Sequence, residues 1–467
     1  MQIEIDNLGP IKKGNIDLSK KLTVFTGPNN SGKTYAAFLI YALTKSSLAV
    51  HRNEEFEKEF ENLIKNKSII HTLDEKKILS YRKNHLNLIK NGLDGIFGIS
   101  DEAANTLFEG FSIKILETEK DLYNNIFNSK FEMNFMLDNN IIDFFKDEKT
   151  LDVRISIKNE NLNKRDLRFL DIIIFSRLYS FFALKPFTSS HILPVERNSI
   201  YTFSKELSIQ KQDFFETAKE ITNNNSKSTR SLEWYFKRTT RYPQPIRDGL
   251  EVAEDLYNFS KRTSKYYELA EQIEQELLLG KVSVNKDGDV QFSSNRNKRK
   301  KIPIQLSASI VKTLSSLVFY LKHLANENDL IIIDEPELNL HPNNQIFITR
   351  LFAKLINNGF RLLINTHSDY IIREFNNLIM LSHPEVRKSN LFSDLGYTEN
   401  EFLNKNDINS YLFNYKNKAS RDVTIQKIEI TDEGFDVETI DNTVDALNKV
   451  SEDLFYTIKY PVIENNE

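Results

Sequence analysis

A glycine-rich turn near the start of the chain has the spacing of a phosphate-binding loop. The 467-residue sequence has only 14 glycines, and two of them lie five residues apart, the second followed directly by lysine. The turn consists of Gly27, Pro28, Asn29, Asn30, Ser31, Gly32, Lys33 and Thr34. It fits G-x-x-x-x-G-K-[ST] at every fixed position, and glycines in this pattern let backbone N–H groups wrap a phosphate.

Two residues of such a loop have defined roles toward a nucleotide. The lysine, here Lys33, reaches the β- and γ-phosphates, and the hydroxyl of the next residue, Thr34, ligates Mg²⁺. The helix that follows adds partial positive charge at its N-terminus. The turn therefore predicts a site for phosphates and a divalent cation.

A pair of acids ends an apolar stretch far along the chain. Residues 330–333 are Leu-Ile-Ile-Ile, and Asp334 and Glu335 follow them. A magnesium nucleotide requires such carboxylates beside its phosphate loop. We expect Asp334 to hold Mg²⁺ or its waters and Glu335 to orient and deprotonate an attacking water. Together with the phosphate loop, the pair predicts nucleotide hydrolysis.

Both motifs lie where strands pass into helices. Residues 22–26 are β-branched and aromatic and predict a buried strand before the loop, and the apolar residues 35–43 predict the helix after it. Near the acid pair the expected elements are helix 309–326, strand 330–333, helix 342–357 and strand 360–365. This alternation predicts an α/β fold with a parallel sheet and helices on its faces.

The middle of the chain is predicted to decorate this core. Residues 46–185 contain strand-like pieces at 111–116 and 151–157 among charged helical stretches, so β and helical structure are both expected there. Residues 191–197 follow and resemble a strand that ends in a polar turn.

A heptad pattern predicts a projecting arm. The pattern is carried by Val252, Leu256, Phe259, Thr263, Tyr266, Ala270, Ile273 and Leu277. One long helix with this seam, ended by Gly280 as a C-cap and paired with a helix at 205–221, would form a short coiled coil. An ordinary helical subdomain is the alternative.

A hairpin and a basic run come next. Alternating residues at 281–285 and 290–293 flank an Asp-Gly turn and predict a β-hairpin. Five positive charges in six residues follow, on Arg296, Lys298, Arg299, Lys300 and Lys301. The run is either a solvated loop or a contact for the phosphate backbone of DNA or RNA. A further strand pair is expected near 424–430 and 435–439.

Composition excludes several classes of protein. The formal net charge is −4, so no global basic field indicates nucleic-acid binding. With no cysteine, the sequence has no disulfide, thiolate metal site or cysteine nucleophile. The start of the sequence lacks the features of a signal peptide, and no apolar run is long enough to span a bilayer. A cytoplasmic protein without membrane contact is expected.

The motifs together resemble a known family. The E-P-E-L-N-L-H-P run at 335–342 resembles the D-E-P-E-x-x-L-H-P run of ABC-type AAA family ATPases outside transporters. These are RecF and SMC-like proteins, and especially the ATPase half of the overcoming-lysogenization-defect (OLD) nucleases. Residues 306–309 resemble their signature loop, 366–368 lie where they place a switch histidine, and 5–11 match their entry into the first sheet.

The resemblance implies an ABC-type P-loop ATPase core, with a mixed N-terminal sheet plus a parallel sheet flanked by helices, and a helical, partly coiled-coil insertion. ATP and Mg²⁺ are the implied cofactors. The expected parts are 1–190 for the N-terminal part of the core with its decorating insertion, 191–280 for the arm, and 281–467 for the C-terminal part of the core. Arg197 lies in a P-x-x-R turn similar to one of the family, and whether its role is catalytic or structural stays open. His341 is expected to cap or pack its own helix.

The resemblance also implies roles for three further residues. Ser307 would cap the γ-phosphate of a nucleotide held by a partner subunit. His367 would contact the γ-phosphate and sense its loss. Asn339 lies at the position of the family's D-loop, across the dimer seam. One residue departs from the signature, because Ser309 stands in place of the usual glycine.

The subclass follows from a missing feature. OLD nucleases add a Toprim metal domain after the ATPase, but no D-x-D pair follows His367. The chain therefore resembles the ATPase-only subunits of bacterial anti-phage systems, such as the Septu, PARIS and retron-associated ATPases. The resemblance implies an ATP-hydrolysing switch, not itself a nuclease. It would form a homodimer or a higher even-numbered homo-oligomer and control an effector protein, a nuclease or toxin, from a neighbouring gene.

Three other functions stay open. A RecF- or SMC-like repair ATPase would bind DNA through the basic run. A scaffold would bind ATP without turning it over. A transporter ATPase is disfavoured by the long insertions and by the run at 335–342.

Overall fold

A computed structural model gives the architecture of most of the chain. The described residues are 1–45, 54–137, 140–158, 167–184, 187–202, 242–389, 391–417 and 420–460. The helix expected at 205–221 lies outside them.

The strands of the described residues form three sheets. They are β1 (Gln2–Leu8), β2 (Ile11–Asp17), β3 (Leu22–Thr26), β4 (Ser68–Thr72), β5 (Ser112–Ile115), β6 (Phe131–Leu137), β7 (Asn140–Lys146), β8 (Asp152–Lys158), β9 (Ser190–Leu193), β10 (Gly280–Val284), β11 (Val290–Ser294), β12 (Ile302–Pro303), β13 (Leu330–Asp334), β14 (Arg361–Asn365), β15 (Ile408–Tyr415) and β16 (Val423–Ile428). The main sheet has the order β5-β1-β2-β16-β15-β3-β14-β13-β9.

α-Helices follow half of these strands. They are α1 (Lys33–Thr44), α2 (Glu54–Asn66), α3 (Glu75–Asn91), α4 (Leu93–Phe97), α5 (Asp101–Leu107), α6 (Glu119–Phe127), α7 (Leu167–Ala183), α8 (Gln244–Glu254), α9 (Leu256–Phe259), α10 (Tyr267–Ile273), α11 (Ser309–His323), α12 (Pro342–Asn357), α13 (Asp369–Met380), α14 (Pro384–Ser389), α15 (Leu391–Asp394) and α16 (Glu438–Lys459). Short 3-10 turns lie at Ile304–Leu306, Glu399–Glu401 and Lys405–Asp407, and a π-helical turn at Glu274–Leu278.

The main sheet has a parallel half and a mixed half. In the parallel half, β3 pairs with β15 and β14, β14 with β13, and β13 with β9, all in parallel. In the other half, β1 pairs antiparallel with β2 and β5, and β16 pairs antiparallel with β15. This mixed sheet with its parallel part between helices is the expected ABC-type P-loop core, so the predicted fold class is confirmed.

Two hydrophobic cores lie on opposite faces of the parallel half. Because side chains alternate along a strand, Leu330 and Ile332 join one core and Ile331 and Ile333 the other. The first core includes apolar residues of α1, and the second includes those of α11, α12 and α13. Every residue of β13 is buried, which explains why this strand is a continuous apolar run.

The region between α1 and β9 carries a second sheet. Its strands have the order β4-β8-β7-β6 and pair antiparallel. Phe56 of α2 stacks on Phe175 of α7, with ring centroids 4.1 Å apart, and both lie in the core that contains Ile155 of β8, so these helices pack on the sheet. The expected mixture of β and helical decoration is confirmed.

The prediction of a single long helix over the heptad pattern is wrong. Three short helices, α8, α9 and α10, replace it, and residues 260–266 between the last two are not helical. In this break, Ser264 donates hydrogen bonds to two carbonyls of α11, through its N–H to Lys322 and through its hydroxyl to Leu321. The seam residues Tyr266, Ala270 and Ile273 are buried in the core that contains α11. Heptad spacing suits any helix face that packs on a core, and here the core is that of the domain itself.

The end of this segment also differs from the expectation. Leu279, with φ 50°, takes the left-handed position, and Gly280 begins β10. A Cβ at Gly280 would lie 2.4 Å from the Phe292 ring and 2.5 Å from the Ser293 carbonyl oxygen. The glycine therefore permits close strand packing rather than a helix cap.

Of the two C-terminal β predictions, the hairpin is confirmed and the strand pair is wrong. β10 and β11 pair antiparallel around the Asp-Gly turn. The expected strand at 424–430 exists as β16, but it pairs with β15. Residues 435–439 are no strand, because Asn376 bonds both the N–H and the carbonyl of Phe435, each at 3.0 Å.

The division into parts at 190 and 280 stays a prediction. Strands from both predicted core parts interleave in the main sheet. Within the part of the chain that the structure describes, no helix combines the length and the apolar character needed to cross a bilayer.

Candidate functional site

Four loops meet at one edge of the main sheet. β3, β14, β13 and β9 are parallel neighbours, so their carboxyl ends share this edge. The phosphate loop follows β3, the switch-histidine loop follows β14, Glu335 follows β13, and the turn with Arg197 follows β9. Ligand sites of open parallel sheets lie at this edge. Strand order thus brings together residues that lie up to 340 positions apart in the sequence.

The phosphate loop has backbone shapes and close contacts that require glycine. Gly27 has φ 131° and Gly32 has φ 91°, a region that L side chains rarely adopt. A Cβ at Gly27 would lie 2.2 Å from the Phe413 carbonyl oxygen, and one at Gly32 would lie 2.9 Å from the Ile11 side chain. Tyr415 of β15 donates a hydrogen bond of 3.1 Å to the Asn29 carbonyl, which ties the loop to the sheet.

Alanine at Gly27 should disrupt the loop. We expect Gly27→Ala to destabilise the fold by about 3 kcal/mol or more and to abolish nucleotide binding, because a strained φ and a backbone overlap add together. Thermal unfolding and nucleotide titration measure the two effects. Gly288→Ala is the control, since Gly288 has φ 81° but no atom within 4 Å of its added Cβ. Equal effects of the two variants would contradict the close-contact argument.

The ammonium group of Lys33 lies inside the curl of the loop. Its Nζ donates hydrogen bonds of 2.9 Å to the carbonyls of Gly27 and Pro28 and approaches Ser31 Oγ at 3.4 Å. Burial lowers the pKa of Lys33 to about 8, although nearby carboxylates such as Asp334 oppose this shift. The lysine is therefore mostly charged at neutral pH and placed at the centre of the phosphate cradle.

Nucleotide binding should take up a proton at high pH. With a pKa of about 8, Lys33 is mainly neutral near pH 9, and phosphates favour its charged form. We expect uptake of about one proton per site near pH 9 and about a tenth of one near pH 7. Calorimetric titrations of ATP in buffers of different ionisation enthalpy measure the difference, and the same uptake at both pH values would contradict it.

Thr34 and Asp334 join the two motifs. The Thr34 hydroxyl donates a 3.0 Å hydrogen bond to Asp334 Oδ2, and Asn365 Nδ2 donates a 2.8 Å bond to Asp334 Oδ1. Burial raises the pKa of Asp334. The single oxygen of the Asn365 amide, Oδ1, is buried and has no partner among the described residues. Hydroxyl, carboxylate and amide oxygens are the ligands that Mg²⁺ prefers, so the residues present fit this ion.

Glu335 and His367 face each other beside this cluster. Glu335 Oε1 lies 3.8 Å from His367 Nε2, and both side chains are about one-third exposed, at 33% and 29%. Burial, and to a smaller degree the charge of Lys33, lower the pKa of His367 to about 4. The imidazole is therefore neutral at neutral pH and can exchange a hydrogen bond without adding charge.

Sequence reasoning gave no role to Glu337, but the structure places it under the switch histidine. Its Oε1 accepts hydrogen bonds from the backbone N–H of His367 at 2.6 Å and from the Thr366 hydroxyl at 3.0 Å. Burial raises the pKa of this carboxyl. The second glutamate of the E-P-E run was the available signal, since it lies two residues after Glu335.

Two predicted site residues form no hydrogen bond with this cluster among the residues that the structure describes. The Ser307 hydroxyl donates a 3.3 Å hydrogen bond to the Pro303 carbonyl in its own turn, next to Leu306, which is 77% exposed. Asn339 is exposed and has φ 61°. Their roles toward a partner subunit stay predictions. His341 accepts a hydrogen bond from the Asn343 N–H and caps α12, which confirms the expected local role.

Comparison with known proteins decides the family. Residues 1–372 match the family model described as AAA ATPase domain. The chain belongs to this family. None of the curated proteins compared with the chain matches it.

SMC head domains are among the solved structures that the comparison finds. The AAA ATPase chain has 10% identity to the SMC head domain from Thermotoga maritima, with 92% of this chain and 98% of that one covered and a TM-score of 0.30. It has 11% identity to an Smc head domain with an extended coiled coil, bound to the C-terminal domain of ScpA and derived from Pyrococcus furiosus, with coverage of 96% and 98% and a TM-score of 0.33. It has 11% identity to an SmcHead bound to the C-winged helix domain of ScpA, with 92% of this chain and 97% of that one covered and a TM-score of 0.32.

Family membership confirms the ATPase resemblance seen in the sequence. The narrower likeness to OLD proteins without a Toprim domain, and to anti-phage ATPases, stays a resemblance of motifs.

Proposed function

We propose that the protein binds and hydrolyses ATP with Mg²⁺ and uses the nucleotide as a switch between two states of a dimer. The contact of 3.0 Å between Thr34 and Asp334 carries this proposal, because it joins the phosphate loop to the acid pair across β14. Residues 27–34 would wrap the phosphates, and Lys33 would bond the β- and γ-phosphates.

Thr34 and Asp334 are the proposed holders of Mg²⁺. The ion would offset phosphate charge and align the γ-phosphate. Asn365 holds Asp334 Oδ1, so the other carboxylate oxygen stays turned toward Thr34. The chain's part in this step is to fix the position of these oxygens before the nucleotide arrives.

Glu335 is the proposed general base, and His367 the sensor of the γ-phosphate. The Glu335 carboxylate would accept a proton from the attacking water. Glu337 holds His367 through its backbone N–H, and the neutral imidazole would donate a hydrogen bond to the γ-phosphate. Loss of that phosphate would release this contact and change the position of the switch loop.

A second copy of the chain would complete the site. The exposed turn around Ser307 and the exposed Asn339 support this part of the proposal, since within the described part of the chain neither side chain bonds the phosphate loop of its own copy. ATP would favour the closed homodimer, or a higher even-numbered oligomer, because its γ-phosphate would bond groups of both chains. An effector protein, a nuclease or toxin in a bacterial anti-phage system, is the partner that this switch would control in the cytoplasm.

One experiment tests the core of the proposal. Purified protein is assayed for phosphate release with magnesium-ATP, and its mass in solution is measured with ATP and with ADP. Turnover and a doubled mass with ATP alone would support the switch. No binding of magnesium-ATP would overturn it, and binding without turnover would favour a scaffold.

The basic run supports a second candidate, an ATPase that binds DNA or RNA for repair. Arg296, Lys298, Arg299, Lys300 and Lys301 are all exposed, between β11 and the turn that holds Ser307. Binding to phosphate backbones should weaken steeply with salt and be lost when the run is neutralised. Anisotropy of labelled DNA and RNA in a salt series distinguishes the two functions.

A further inference from the structure

A buried arginine holds the backbone on which both catalytic acids lie. Arg197 belongs to the turn after β9, the strand beside β13, and its side chain is 1% exposed. Its Nη1 donates a hydrogen bond of 2.7 Å to the Asp334 carbonyl and one of 3.0 Å to the Pro194 carbonyl. Its Nη2 donates a 2.7 Å bond to the Glu335 carbonyl. One guanidinium thus grips two successive peptide groups.

The second of these peptide groups is strained. Glu335 has φ 47°, in the left-handed region, which costs a residue with a side chain about 1–2 kcal/mol. Its N–H donates a 3.0 Å hydrogen bond to the Asn365 carbonyl of β14, and its carbonyl accepts from Arg197 of the turn on the other side. Both neighbours of β13 therefore hold this turn.

The charge of Arg197 suits this place. Burial lowers the pKa of the guanidinium to about 10, and Asp334, Glu337 and Glu335 oppose the shift. The group therefore stays charged at neutral pH and offsets buried carboxylates. Lysine can reproduce the contact only in part, because its ammonium lies on a flexible stem and lacks the rigid planar fork whose two nitrogens donate to the Asp334 and Glu335 carbonyls.

We propose that Arg197 is a positioning residue that fixes the left-handed turn at Glu335 and so aims the Glu335 carboxylate at the attacking water. The inference rests on the proposed hydrolysis. Among the described residues, Arg197 donates to backbone carbonyls only, so it acts through Glu335 and not on the nucleotide. Without it, the turn at 334–336 can relax toward an unstrained φ and carry the carboxylate away from the water.

Hydrolysis should suffer much more than binding when the fork is removed. In Arg197→Met we expect kcat to fall about ten- to a hundredfold, because small misplacements of a reacting group have effects of this size. The Kd of ATP should change less than about threefold, since the phosphate loop is not touched. Arg197→Lys should restore part of kcat and also serves as the second variant if Arg197→Met does not fold.

The matched control lies at the opposite edge of the same sheet. Arg361 also donates to two successive carbonyls, those of Ser19 and Lys20, at 2.8 Å and 3.2 Å. Arg361→Met should lower the melting temperature with little change in kcat. Equal losses of kcat in the two methionine variants, at equal losses of stability, would reduce Arg197 to a purely structural residue and overturn the proposal.

Amide hydrogen exchange gives a readout that does not need turnover. Exchange at the amides of Asp334, Glu335 and Glu337 should become faster in Arg197→Met and stay unchanged in Arg361→Met. If the unmodified protein hydrolyses no ATP, the proposed function fails by itself, and the exchange result still shows whether Arg197 holds this turn. Unchanged exchange there, or unchanged kcat in Arg197→Met, would overturn the inference.

Discussion

Lys33→Ala should lower the affinity for ATP by roughly a hundred- to a thousandfold. A hydrogen bond to a charged group contributes about 1.5–3 kcal/mol, and Lys33 is expected to make such bonds to two phosphates. The ammonium also stabilises the loop itself through the carbonyls of Gly27 and Pro28. Removing it therefore weakens both the ligand contact and the cradle. Titration with a fluorescent ATP analogue measures the Kd, and phosphate release under saturating ATP should fall to background.

Lys21→Ala is the control for this variant. Lys21 precedes β3 at the far edge of the sheet and forms an exposed ion pair of 3.0 Å with Asp407, which contributes little to stability. Its loss should leave Kd and turnover unchanged. If Lys33→Ala bound ATP as the unmodified protein does, the turn at 27–34 would be no nucleotide site.

Local patterns were sufficient for the elements that carry the two motifs. The apolar run before Gly27 is β3 with the predicted bounds, and α12 begins at Pro342 and ends at Asn357 as predicted. A buried strand needs apolar residues on both faces, and a helix needs a cap and a start. Both requirements depend on residues that are close together in the sequence, so local patterns can predict them.

Contacts set by strand order could not be predicted in this way. Asn365 ends β14 as Asp334 ends β13, but its bond to Asp334 follows only from the pairing of these strands. Arg197 had an open role because β9 was not known to lie beside β13. The sequence shows each residue, but it does not show which residue of the adjacent strand that residue contacts.

The heptad error has a physical cause of the same kind. The spacing of Tyr266, Ala270 and Ile273 describes one apolar helix face and does not say what covers it. A partner helix and the domain core satisfy the pattern equally well. The hydrogen bonds from Ser264 to α11 show that the domain core covers this face, and they can be seen only in the three-dimensional structure.

Glu335→Gln should separate binding from hydrolysis. An amide has nearly the shape of the carboxylate but cannot accept the proton of the attacking water, so kcat should fall by about 10²–10⁴. The Kd of ATP should stay within about threefold, because Thr34, Asp334 and the phosphate loop are intact. With the γ-phosphate retained, the closed dimer should accumulate, and light scattering after chromatography with ATP should give twice the mass found with ADP.

The same substitution at the other end of β13 isolates the chemistry. Glu327 precedes this strand and pairs with Lys265 at the surface, so Glu327→Gln keeps the change of charge and moves it away from the phosphate loop. It should keep the kcat of the unmodified protein and show no ATP-trapped dimer. Unchanged turnover in Glu335→Gln would exclude Glu335 as the base. If Glu335→Gln lost turnover without a change of mass, the proposed ATPase activity would stand and the proposed dimer switch would not. Hydrolysis would then need no groups from a second chain.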